Sequence, residues 1–241
     1  MQNSLYVSLS AQISLERRLE TIANNVANAN TPGYRVDGVT FATTLAKAGA
    51  ANVAYVDEGD GFISQQSGAI IQTGNPLDVA IQGDGWFGVQ SGGRTVYTRD
   101  GRLQMNETGG LVSVTGAPVL DAAGAPIQLD PGAGPPTISH DGMITQGGRQ
   151  LGAIGLFELD PNAKLTRAGT SGFTSDKGAQ PVLNFNANGV VQGAIEGANV
   201  DPVREMTRLI QVTRTFDGVT NGVAQTENSL QDAIKTLGGA A

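Results

Sequence analysis

The chain has 241 residues, with 22 acidic against 15 basic side chains and a formal net charge of −7. That balance lacks the basic footprint that phosphate binding needs and argues against nucleic acid as a partner. With no cysteine, and His140 as the lone histidine, thiol nucleophiles, disulfides, iron–sulfur clusters, zinc ribbons and two-histidine metal sites are excluded.

The opening Met1–Leu5 has neither the basic region nor the apolar core of a cleaved leader, so none is expected. Residues 3–30 contain no Gly and no Pro, in a chain where 34 of 241 residues are Gly. Within them Leu15, Leu19, Ile22, Val26 and Ala29 recur at alternating steps of four and three, which predicts a helix with one apolar seam. Asn24, Asn25 and Asn28 lie beside that seam, with amides able to bond across a helix interface. Thr31-Pro32-Gly33 stops the helix, because Pro disfavours α before it and Gly accepts positive φ.

Residues 36–60 are Ala- and Gly-rich without a clear period and read as a connector. From 61 to 197 the pattern changes to short strands broken by turns. Leu77-Val79-Ile81 alternates, Trp86-Phe87-Gly88-Val89 is an apolar run, and Ser91-Gly92-Gly93 turns into Thr95–Thr98. Asp100-Gly101, Gly109-Gly110, Asp141-Gly142 and Asn188-Gly189 recur at strand-sized intervals, which predicts an antiparallel barrel or sandwich instead of a βαβ sheet.

The C-terminal segment carries the longest period. Leu209, Val212, Phe216, Val219, Val223, Thr226, Leu230, Ala233 and Leu237 step by three and four without interruption. Asp201 supplies an N-cap, Pro202 the first helical position, and Gly238-Gly239 the end. A helix over 202–237 is about 54 Å long at ~1.5 Å per residue, against about 37 Å for residues 5–29. The surplus stripe points to contacts with other chains. Gly218 and Gly222 mark either a weak point or a close approach of a neighbouring helix. The predicted fold is therefore mainly β with terminal helices. A central antiparallel β barrel or sandwich (61–197) joins a discontinuous α-helical coiled-coil domain built from 1–35 and 198–241. No apolar run approaches the ~18–20 residues of a membrane span.

The chemical motifs favour plain readings. Gly83-Asp84-Gly85-Trp86-Phe87-Gly88 matches a dinucleotide fingerprint, but a strand and a hairpin turn follow it where a helix is required. His140 stands in the tight-turn sequence Ser139-His140-Asp141-Gly142, and no nucleophile elbow occurs. Asp57-Glu58-Gly59-Asp60-Gly61 lacks the distal ligands of a calcium loop and reads as a solvated acidic loop. No catalytic, cofactor or metal site is expected, and no enzyme activity.

At this point the residues resemble the rod and hook axial proteins of the bacterial flagellum. Ile22–Arg35 looks like that family's Asn-rich signature, and Asn199–Met206, continuing through Leu209-Ile210 and Arg214-Thr215-Phe216, is similar to its closing helix. Asp78–Ile81, Gly83–Phe87 and Tyr97–Gly101 match in the centre. The resemblance implies that the terminal helices pair into an inner domain, that the β domain lies outside, and that subunits stack helically around an export channel. It implies copies of itself and other rod proteins as partners, the flagellar type III apparatus as exporter, and a place in the rod where it crosses the periplasm. Length and the opening Leu5–Leu9 look most like the proximal rod type. Asp217, Val219 and Asn221 depart from the distal pattern of Glu, Asn and Lys. A distal rod or hook-type subunit is the alternative within the family, and a secreted β-structured binding module on a coiled-coil stalk the alternative outside it. The expected assembly interface comprises Leu15, Leu19, Ile22, Asn24, Asn25, Val26, Asn28, Val203, Met206, Leu209, Val212, Phe216, Val219, Val223, Leu230 and Leu237.

Overall fold

The computed structural model describes residues 2–40, 43–48, 51–56 and 60–238. They form two helices, α1 (Gln2–Ala27) and α2 (Pro202–Gly238), and short antiparallel strands between them. The chain divides into two compact units: 1–27, 37–62 and 201–241 make one, and 28–36 with 63–200 the other.

In the first unit α2 starts as its sequence dictates. The Asp201 carboxylate accepts from the Arg204 backbone N–H at 3.1 Å, its carbonyl accepts from Glu205 N–H at 3.0 Å, and Pro202 takes the position where no N–H is needed. Glu205 in the first turn and Lys235 in the last complement the helix dipole. Helix α1 ends at Ala27, so Ala29, counted above as a seam residue, lies beyond it. Strand Asp37–Thr40 pairs with Asp60–Ile63, and Thr43–Ala48 with Ala51–Val56. Of the acidic loop, Asp57, Glu58 and Gly59 lie outside the described residues.

The second unit holds a six-stranded antiparallel sheet in the order Leu165–Ala168, Gly172–Ser175, Arg94–Thr98, Trp86–Ser91, Leu156–Leu159, Ala179–Pro181. Both its faces are covered. Phe87, Val89, Val96 and Leu156 point into one apolar cluster with Val79, Ile81, Leu103, Leu111 and Val190. Trp86, Tyr97, Phe157 and Phe173 point into the other, with Trp86 edge-on to Phe173 at 4.9 Å between centroids. That is why Trp86–Val89 is a continuous apolar run and not an alternation. The Gly83–Gly88 motif opens this strand, and Gly92-Gly93 turns it into the next, as its sequence predicts.

Of the expected barrel or sandwich, no closed barrel forms among the described residues. The described strands are two to six residues long and fall into seven separate sheets, none closed on itself. Closure needs every strand to be paired on both sides at a consistent tilt and stagger. Here turns at Gly109, Gly116, Gly124 and Gly134, all at positive φ, interrupt the ladders after three or fewer residues. Ser139–Gly142 is a tight turn closed by Gly142 N–H to the Ser139 carbonyl at 2.9 Å, and the His140 ring lies against Gly189.

Candidate assembly surface

The two helices of the first unit run antiparallel. Gln12 Nε2 donates to Thr220 Oγ1 at 3.1 Å, and Asn25 Nδ2 donates to Glu205 Oε2 at 3.4 Å, so numbering falls along α2 as it rises along α1. Helix α1 has 26 residues and α2 has 37, a difference of roughly 16 Å of helix at ~1.5 Å per residue. The far turns of α2 extend beyond anything α1 can cover.

Ile22 and Val212 are buried in the seam, and Leu15, Leu19, Val26, Leu209, Phe216, Val219 and Val223 are half-buried. Thr226, the polar step in the stripe, is exposed and returns its hydroxyl to the Gly222 carbonyl at 2.8 Å. A Cβ at Gly218 or Gly222 would meet open space, so among the described residues no helix approaches closely there. Asn24, Val203 and Met206 are exposed. Leu230 and Leu237 stand on the helical backbone, but their side chains lie outside the described set.

Both helices also carry apolar residues away from the seam. Tyr6, Leu9 and Ile13 on α1 are 43–58 % exposed, and Val203, Met206 and Ile210 on α2 are 51–75 % exposed. Each trio is spaced by three and four, so each is a one-sided stripe facing outward.

Asn25 is the polar centre of the unit. It is 1 % exposed; its Nδ2 donates to the Asp37 carbonyl and its Oδ1 accepts from Asp37 N–H, both at 2.9 Å. It thus pairs with a strand start as another strand would, while its second N–H reaches Glu205 on α2. Glu205 is 3 % exposed and accepts from Arg208 Nη1 at 2.6 Å. Of the three asparagines singled out from the sequence, Asn25 bonds to α2. Asn28 falls in the second unit, where its carbonyl and side-chain oxygen both receive Thr31 in a turn.

Within the second unit a buried polar cluster escaped sequence reasoning. Arg35, Arg99 and Glu196 are at most 2 % exposed. Glu196 Oε1 takes Arg35 Nη2 at 2.8 Å and Oε2 takes Arg99 Nη1 at 2.9 Å, and both guanidiniums stand over the Trp86 ring at 5.3 and 5.0 Å. Burial outweighs the Glu196 attraction and pulls Arg35 down to about 10; the same cause lowers Arg99. Arg35 and Arg99 sit in Tyr34-Arg35 and Tyr97–Gly101, stretches already marked by resemblance. Glu196 stood in none, and a carboxylate in a sequence reads as solvated until its partners are seen.

A hollow of 450 Å³ in the same unit is lined by hydroxyls, among them Ser91, Thr98, Ser113 and Thr170, with Asp100 and Arg102. Its ionic groups are occupied with each other: Arg102 Nε and Nη2 donate to the Asp100 carboxylate at 2.9 and 2.7 Å. Among the described residues no group of three or more His, Cys, Asp or Glu could hold a metal, and no helix is long and apolar enough to cross a membrane.

Three family descriptions match the chain: flagella basal body rod protein over residues 5–35, flagellar hook protein FlgE/F/G D1 domain over 80–146, and flagellar basal body rod FlgEFG protein C-terminal over 191–236. The chain is 50 % identical to the flagellar basal-body rod protein FlgF of Mesorhizobium japonicum over 238 residues, covering 99 % of each. It is 46 % identical to the FlgF of Rhizobium meliloti over 239 residues, again 99 % of each. It is 30 % identical to the flagellar basal-body rod protein FlgG of Bacillus subtilis, covering 97 % of this chain and 98 % of that one.

Proposed function

We propose the following reading for a chain that belongs to the flagellar basal-body rod protein family: it is a structural subunit of the rod, of the FlgF type, that polymerises through its terminal helices. The observation that carries the polymerisation is the mismatch between α1 and α2. Roughly 16 Å of α2 has no counterpart on α1, and two outward stripes expose Tyr6, Leu9, Ile13, Val203, Met206 and Ile210 to solvent. A monomeric protein gains nothing from such stripes; a neighbour covering them recovers roughly 1.5–3 kcal/mol per large side chain.

The finer features belong to the same proposal. The helix pair acts as a coiled coil that neighbouring copies extend, and the terminal segments 1–35 and 198–241, which flank the β part in sequence, form the assembling part. The subunit occupies the proximal rod, between other rod proteins and copies of itself. It leaves the cell through the flagellar type III apparatus and serves where the rod crosses the periplasm. No catalytic role is proposed, since the carboxylates in the hollow and in the buried cluster are consumed by arginines.

The test is Met206→Asp or Ile210→Asp in a motile strain, with basal bodies isolated and imaged. Both positions are more than half exposed, so the purified chains should melt as the parent does. Rods should be missing or truncated and motility lost. Complete rods and normal swimming in both variants would remove the outward stripes from the assembly surface. Complete rods in a strain lacking the gene would remove the rod function itself.

A further inference from the structure

The buried cluster of the second unit lies where three stretches of chain cross, and most of the bonds that join them are made by Glu196 and Asn199. The incoming segment enters through Gly33, whose N–H donates to the Glu196 carbonyl at 2.8 Å. Gly33 is at φ +69°, and a Cβ there would stand 2.2 Å from Asp100 N, so this segment is pressed against the Arg99–Asp100 backbone. A second segment, 64–69, gives its Gly68 N–H to Glu196 Oε1 at 2.7 Å and takes an Arg35 guanidinium N–H on the Gln66 carbonyl. The outgoing segment returns through Asn199. Its Oδ1 accepts from Val36 N–H at 2.7 Å, its N–H donates to the Tyr34 carbonyl at 3.2 Å, and its Nδ2 donates to the Gln66 carbonyl at 2.8 Å. Arg167 closes the outside, donating to the Arg35 carbonyl at 2.7 Å and lying over the Tyr34 ring at 4.6 Å.

The apolar clusters of the unit are drawn from residue 79 onward, together with partly buried Ile63 and Leu77. The crossing is therefore held mainly by polar contacts, made by the Glu196 carboxylate to Gly68, Arg35 and Arg99 and by the Asn199 amide to Val36 and Gln66. Two cations and one anion share a buried space, and Arg35 Nε and Arg99 Nε have no hydrogen-bond acceptor among the described residues. Without the Glu196 charge the two guanidiniums would repel across the Trp86 ring, with only the Gln66 and Gly83 carbonyls left to offset their burial.

We propose that Glu196 is the pin of a latch that fastens residues 33–36, 64–69 and 196–199 to one another, so that these three segments open and close together as one local unit, separately from the six-stranded sheet. The latch ties together, within the second unit, the segments next to where the chain leaves it after Val36, re-enters it at Ile63 and leaves it after Val200, with Tyr34 bonded to Asn199.

Residue-resolved amide exchange on the full chain tests this, comparing Glu196→Gln with Asn199→Ala. The first removes the charge and keeps the shape; the second removes a neutral fastener on the same crossing. Both should speed exchange at Gly33, Val36, Gly68, Gly197 and Asn199 together, by tenfold or more. The amides of Phe87, Val89 and Val96 in the sheet should be unchanged. A change in Glu196→Gln confined to Gly68, the amide bonded to its carboxylate, would overturn the latch. So would sheet amides accelerating in step with the crossing, or different amide sets responding to the two variants. A Glu196→Gln chain that fails to fold would overturn it as well, because the latch must be separable from the core.

Discussion

Replacing Asn25 by Asp exchanges one NH2 for an oxygen and leaves the shape unaltered, which makes its consequence calculable. The Oδ1 bond from Asp37 N–H survives. The donor to the Asp37 carbonyl at 2.9 Å is lost, and a carboxylate now faces Glu205 Oε2, which the amide had approached to 3.4 Å. A buried acceptor left without its donor costs about 1–3 kcal/mol. Two like charges at that separation repel by about 5 kcal/mol at an effective dielectric constant near 20, so the new carboxyl takes up a proton before the full cost is incurred. A net loss of about 3 kcal/mol is expected near neutral pH, which in a unit of roughly 90 residues lowers its midpoint by about 12–24 °C. Because the new group's pKa is raised in the folded state, the penalty is small below about pH 4 and grows as pH rises through the raised value. The two units can be read separately. Helices α1 and α2 are the α-helices among the described residues, so ellipticity at 222 nm follows the first unit, and Trp86, the sole tryptophan, follows the second by fluorescence. Gln225→Asp, at an exposed position on α2, is the control. A helix midpoint for Asn25→Asp within about 3 °C of that control at pH 7 would refute the reasoning.

Three further outcomes are expected. Gly33→Ala forces φ +69° on a residue with a side chain and drives its Cβ to 2.2 Å from Asp100 N; the Trp86 transition should fall by about 2–4 kcal/mol in urea while the helical signal holds. Val212→Asp buries an unpaired charge in the seam at a position 5 % exposed and should remove most of the thermal helical transition, whereas Gln225→Asp, exposed, should stay within about 0.5 kcal/mol of the parent. Replacing Arg35, Arg99 and Glu196 together by Met, Met and Leu should leave the urea midpoint of the Trp86 signal near or above the parent's, because burial of the two guanidiniums outweighs the attraction of Glu196; a triple variant less stable than Glu196→Gln alone would contradict that balance.

The terminal helices were legible because their signals are local. Steps of three and four, the absence of Gly and Pro over 3–30, and Asp201-Pro202 as a cap act through neighbours within one helical turn, and α2 begins where those residues place it. The strand after Gly83–Gly88 was legible for the same reason, since a hairpin turn follows within a few residues. The barrel was not, because strand-sized intervals count strands without saying which edges meet, and here the ladders stop before closing. Nor was the outward face of Val203 and Met206, which share the helix with the seam but lie on its other side.

By itself, the sequence determined a mainly β chain with a helix at each end, the second longer than the first, and the resemblance carried by its motifs. Those follow from periodicity and capping, which the backbone enforces within four residues. Only the tertiary structure decided that Asn25 bridges to α2, and that Glu196 meets Arg99 across 97 residues of chain. A charged side chain settles in a protein interior only where the fold supplies its partners, and those partners are adjacent in space without being adjacent in sequence.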